Sequence, residues 1–267
     1  MSELNRSGDP LVEVVQWRQL YKLGGWAALV AALLFRRNLA EEFLLLRFSG
    51  ILHSGPQAFP GSAADWFTLL RTHPLIGLTF LNLFDMVNYA LVGLIFLGLC
   101  QTLFRVNKSA MTLAMALTLV AVAVYFASNQ AFALLSLSDQ YAAATTDAQR
   151  SGLLAAGQAL LAIHNSSANY GNGPYVSFLF VNFAGLIIAA VMLGSSVFGK
   201  LAAWMGVLAN IFGLSYYLTQ TFAPSMSAIP LSAAAPFLLI WYLVAGRTLL
   251  RLGSGSSNPD GDVSWTR

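Results

Sequence analysis

Apolar residues in this chain fall in long blocks separated by short polar interruptions, and the blocks predict six helices long enough to cross a bilayer, which takes about 20 helical residues. The first runs from about 20 to 46. Its apolar part, Leu23–Phe35, is followed by Arg36, Arg37, Glu41 and Glu42 mixed with Leu44, Leu45 and Leu46, so its outer third is polar. Pro74 opens the second span, Leu75–Phe104, and the third is Ala110–Leu135. Tyr175–Phe198, Leu201–Phe222 and Leu231–Leu250 complete the set. The predicted fold is all-α: a polytopic bundle of six transmembrane helices plus two outer amphipathic helices.

The polar interruptions supply the connections. Residues 11–20 alternate apolar and polar positions and read as a short interfacial helix or a frayed tail. Gly50, Gly55, Pro56, Pro60 and Gly61 mark a loop, after which Ser62 can cap the first amphipathic helix, about 62–73. Arg105, Asn107 and Lys108 form a tight turn. Residues 138–164 mix Asp139, Asp147, Gln149 and Arg150 with Leu153, Leu154, Leu160 and Leu161, which predicts the second amphipathic helix. Residues 165–174 and 224–230 read as loops. Three regions result: an interfacial N-terminus (1–19), the membrane domain (20–252) and a Gly/Ser-rich tail (253–267) expected to be disordered.

Composition supports lipid as the solvent: 57% of the 267 residues are hydrophobic and only 9% charged, against roughly 25% charged in soluble domains. No A-x-A-like cleavage site follows the first apolar run, so a cleaved leader is not expected. Basic residues fix the expected orientation. Arg6, Arg18, Lys22, Arg105, Lys108, Lys200, Arg247, Arg251 and Arg267 collect at one side, and Arg36, Arg37, Arg47, Arg71 and Arg150 at the other. The richer side is the cytoplasmic one, which puts both termini in the cytoplasm of a multi-pass cell-membrane protein.

Counting about twenty residues outward from each cytoplasmic charge reaches Glu41 and Glu42, Asp85, Asn129, Asn182 and Gln220. Five spans thus bring polar side chains to a similar depth. Asn82, Asp85, Asn88 and Tyr89, three and four apart in one predicted helix, would share a face. Charged groups in hydrocarbon cost a few kcal/mol each and usually face a wet cavity or the bundle interior. The expected site is therefore an outward-facing polar cavity for a small molecule or lipid, with Asp85 as central acceptor. Asn82, Asn88 and Asn129 would be hydrogen-bonding partners, Arg36 and Arg37 counter-charges, and Glu41 and Glu42 further lining groups. A plainer reading stands beside it: the Arg/Glu group snorkels to headgroups, and the amides tie helices together.

Other chemistry finds weak footing. His53, His73 and His164 all fall on the outer side, where with nearby carboxylates they would make the chain a metal-dependent intramembrane hydrolase, but no H-x-x-x-H spacing occurs. No cofactor or metal is expected. Nucleophile and phosphate-loop motifs are absent, and no basic stripe points to nucleic acid. A third reading is an accessory subunit held to a membrane-protein partner. Gly24, Gly25, Gly206 and Gly213 read as close-packing positions between helices.

The stretches Asp85-Met86-Val87-Asn88-Tyr89-Ala90-Leu91-Val92-Gly93 and Leu137-Ser138-Asp139-Gln140-Tyr141-Ala142-Ala143-Ala144-Thr145 resemble a family of bacterial multi-pass membrane proteins, domain of unknown function 4386. The likeness covers roughly residues 20–250. It implies a bacterial origin and a membrane bundle, brings no mechanism, and draws interest to Asp85, Asn88, Asp139 and Tyr141. Asp139 or Ser138 could cap the outer helix.

Overall fold

The computed structural model describes residues 17–34, 60–164 and 173–255. Among these the chain is helical, with no strand. Helix α1 covers 17–34. It is followed by α2 (Ala63–Thr72), α3 (Pro74–Phe80), α4 (Leu83–Leu103), α5 (Lys108–Ser128), α6 (Ala131–Ala143) and α7 (Asp147–His164). Then come α8 (Gly173–Leu193), α9 (Lys200–Phe222), a 3-10 turn at Pro224–Met226, and α10 (Ala228–Ser254). Among the described residues five stretches are long and apolar enough to cross a membrane: Leu83–Leu103, Lys108–Ala143, Gly173–Leu193, Lys200–Phe222 and Pro224–Ser254. The outer part of the first expected span, 35–46, lies outside the described residues, as do the N-terminus and most of the tail.

Several boundaries depart from the sequence reading. The expected second span is two helices, because Asn82 takes a left-handed conformation (φ 66°) between α3 and α4. Within the third span, helix α5 ends at Ser128. The Asn129 side chain accepts a hydrogen bond from the Ala131 N–H (2.9 Å), which starts a separate α6. The single amphipathic helix expected at 138–164 is likewise divided at 144–146. Neither Ser138 nor Asp139 caps it. Ser138 is fully buried within α6, where its hydroxyl donates to the Leu135 carbonyl (2.7 Å). The cap of α7 is Thr146, whose Oγ1 accepts from the Gln149 N–H while Gln149 Oε1 accepts from the Thr146 N–H, a capping box. At the last connection, helix resumes at Ala228 and holds both Pro230 and Pro236. It runs on to Ser254, two residues past the expected edge of the membrane domain, and Gly255 (φ 68°) closes it in the left-handed conformation that glycine tolerates.

The chain forms two compact units. The first takes in α1, residues 91–103 of α4, 108–119 of α5, 180–193 of α8, and all of α9 and α10. Its interior joins Ile95, Phe96 and Leu99 with Met111, Ile188, Met192, Trp241 and Leu249. Lipid is as apolar as these side chains, so close packing rather than exclusion from water holds such helices together. Glycine provides it: a Cβ at Gly25 would stand 2.9 Å from the Gly246 carbonyl oxygen, and one at Gly206 would stand 2.7 Å from the Trp241 ring.

The second unit comprises α2, α3, α6 and α7 with the adjoining ends of α4, α5 and α8. The segments expected to form the two amphipathic helices pack together here. Trp66, Phe67 and Leu70 of α2 are buried with Leu78 of α3, Ala131 and Leu134 of α6, and Leu161 of α7. Ser62 caps α2 as the sequence predicts, in a capping box with Asp65. Gly157 of α7 meets Phe67 so closely that a Cβ there would stand 2.6 Å from the ring, and Gln158 Oε1 accepts from the Ala63 N–H (3.3 Å).

Candidate functional site

The predicted polar residues that the structure brings together lie where α4 starts and α5 ends. Asp85 is exposed in the first turn of α4, where the unpaired N–H groups of a helix start favour negative charge. Asn88 and Tyr89 lie three and four residues further on and share its face. Asn82 does not. Its left-handed backbone lies in the turn before α4, so the expected four-residue polar face holds three residues.

Tyr125 of α5, which the sequence reading did not single out, organises this corner. Its ring stacks on Tyr89, with centroids 3.9 Å apart and planes 12° from parallel. The Tyr125 hydroxyl shares a hydrogen bond with the Asn129 side chain and lies within electrostatic range of the Asp85 carboxylate. The signal available was modest: the one tyrosine of an apolar span, one helical turn before Asn129. Asn129 Oδ1 also accepts from the first N–H of α6, that of Ala131, so the residue that bonds Tyr125 is fixed by the chain break itself. Nearby, Gly173 at the start of α8 packs directly on Ser128, where any side chain would overlap the serine. The corner offers a carboxylate, two phenols and two amides, a set able to accept and donate hydrogen bonds to a polar headgroup or small molecule.

The remaining predicted residues are elsewhere or not described. Arg36, Arg37, Glu41 and Glu42 lie outside the described residues. Asn182 and Asn210 are buried in the first unit, and there Asn210 Nδ2 donates to the Gly206 carbonyl (2.7 Å). Among the described residues no three His, Cys, Asp or Glu side chains come together as a metal site. His53 and the side chain of His164 are not described, and His73 is exposed between α2 and α3. A shallow groove of about 510 Å³ between the end of α6 and the start of α7 is lined by Gln140, Ala143, Ala144, Gln149 and Leu153. None of the predicted polar residues lines it.

Helices of this length and hydropathy define a multi-pass membrane protein of all-helical class. Comparison with family models, curated proteins and solved structures finds no match.

Proposed function

We propose that this protein binds a small polar molecule or a lipid headgroup through Asp85, at the corner where α4 begins and α5 ends. The observation that carries the reading is the Tyr89–Tyr125 stack, which sets two phenols beside Asp85, Asn88 and Asn129 on helices of membrane length. Stacked rings restrict two side chains in advance, which lowers the entropy lost on binding. Asp85 accepts and Asn88 and Asn129 donate, while Arg36, Arg37, Glu41 and Glu42 of the first expected span lie outside the described residues. That span is the sixth crossing. Both termini lie in the cytoplasm of a bacterial cell membrane, in keeping with the segments 85–93 and 137–145 that resemble the bacterial multi-pass family. Asn82 serves the site by turning the chain rather than by touching the ligand.

The test is ligand-dependent thermal stabilisation of purified protein, screened with polar metabolites and lipids. Asp85→Asn and Asp85→Ala lose the stabilisation, and Tyr125→Phe weakens it by removing the hydroxyl while keeping the stack. Unchanged stabilisation in both Asp85 variants removes the assigned role.

A further inference from the structure

Charge is sorted between the two units. The described residues of the first unit include Arg18, Lys22, Arg105, Lys108, Lys200, Arg247 and Arg251 and not one Asp or Glu. Those of the second include Asp65, Asp85, Asp139 and Asp147 beside Arg71 and Arg150. In the first unit the cations mark helix ends: the start of α1, the α4–α5 turn, the start of α9 and the last two turns of α10.

Two of these ends are packed together. Gly253 of α10 lies against α1, where a Cβ would stand 2.7 Å from Lys22 Cγ and 3.1 Å from the Arg18 carbonyl oxygen. The Arg18 guanidinium lies over Gly255, at the position a side chain there would occupy. Arg18 and Lys22, one turn apart, therefore straddle the end of α10, and Arg247 and Arg251 are exposed on the flank of its last turns. The partial negative charge of a helix C-terminus favours cations there, but it amounts to only about half an elementary charge. Arg18 Nε is buried with no hydrogen-bond partner among the described residues. Like charges gathered with no acid beside them among the described residues repel one another, and a bound anion would relieve that repulsion.

We propose that the α1–α10 junction, with Arg18, Lys22 and Arg251 at its centre, binds the phosphate of an anionic phospholipid. The unit is an apolar bundle with helices of membrane length, so its basic end lies at headgroup level. There a guanidinium or ammonium meets lipid phosphate while its stem stays in apolar surroundings. The proposal rests on the membrane assignment and is independent of the Asp85 site.

The experiment titrates the detergent-purified full chain with phosphatidylglycerol and with phosphatidylcholine of the same acyl chains, read by native mass spectrometry and thermal shift. Wild type prefers phosphatidylglycerol. The triple variant Arg18→Gln, Lys22→Gln, Arg251→Gln loses that preference, at about fivefold in affinity per cation removed. The charge-conserving Arg18→Lys, Arg251→Lys variant keeps it, which separates lost charge from lost folding. Asp85→Ala also keeps it, so failure here and failure of the Asp85 reading are distinguishable. Equal binding of the two lipids by wild type overturns the proposal. So does displacement of phosphatidylglycerol by inorganic phosphate at matching concentration, which would assign the cluster to soluble anions.

Discussion

Asn210 of α9 fills the space that Gly185 of α8 leaves by having no side chain: a Cβ there would stand 2.8 Å from the amide Cγ and Nδ2. The arrangement is reciprocal. Three residues along each helix, Asn182 of α8 faces Gly213 of α9 in the same way. Two buried amides are thereby admitted to an apolar interface, each seated over a glycine of the opposite helix.

Gly185→Ala is expected to destabilise the protein by about 1–3 kcal/mol, the usual cost of overpacking. Thermal unfolding in detergent measures it. Because Asn210 is the obstacle, Gly185→Ala combined with Asn210→Ala should cost less than the two single changes added, with a coupling of at least about 0.5 kcal/mol. Strict additivity would mean that the two residues do not meet.

Asn82 separates a backbone role from a binding role. Asn82→Gly keeps the left-handed turn and should leave both stability and ligand response near wild type, since glycine takes φ 66° without cost. Asn82→Val should lose about 1–2 kcal/mol, because a β-branched side chain resists that conformation. A large drop in ligand response for Asn82→Gly at unchanged stability would return the amide to the site.

The second unit depends on one contact between α2 and α7. Phe67→Ala should cost about 3–5 kcal/mol, as expected for a buried aromatic ring. Gly157→Val should produce a similar opening from the other side by displacing the same ring. In both variants hydrogen exchange should rise across Ala63–Thr72 and Asp147–His164 together. Exchange confined to the substituted helix would refute the shared core.

The cap of α2 was legible in the sequence; that of α7 was not. Ser62→Ala and Thr146→Ala are each expected to cost about 1 kcal/mol, visible as faster exchange of the first-turn amides of α2 and α7. Ser62 with Asp65 was readable from spacing, whereas the second cap, expected at Ser138 or Asp139, falls at Thr146 with Gln149 because the helix is broken at 144–146.

The membrane class was equally plain, because hydropathy over twenty residues needs no knowledge of neighbours. The turns at Arg105–Lys108 and before Lys200 were legible through their charge. The breaks at Asn82 and Asn129 were not. Neither has glycine or proline; leucines flank Asn82, and the polar run Ser128–Gln130 is short and sits between apolar blocks, so local pattern reads one long span in each case. What decides them is a backbone conformation at Asn82 and a side-chain hydrogen bond from the Ala131 N–H to Asn129. Pro230 misled in the opposite sense, since it reads as a loop yet sits in the first turn of α10, where its missing N–H had no partner to lose. Of the candidate site, Asp85 and Asn88 were found because polar groups stand out in apolar helices. Tyr125 was missed because its partner Tyr89 lies 36 residues away in sequence, and stacking between distant rings leaves no periodic trace.

The core around Trp66 sets an order of events during synthesis. Trp66, Phe67 and Leu70 are made early, whereas Leu161, which helps cover them, is made about ninety residues later. At a translation rate of roughly 5–20 residues per second, α2 waits on the order of 5 to 20 seconds for its last partner. Throughout that interval a greasy, uncovered helix must be sheltered beside the insertion machinery while the intervening hydrophobic segments are threaded into the bilayer.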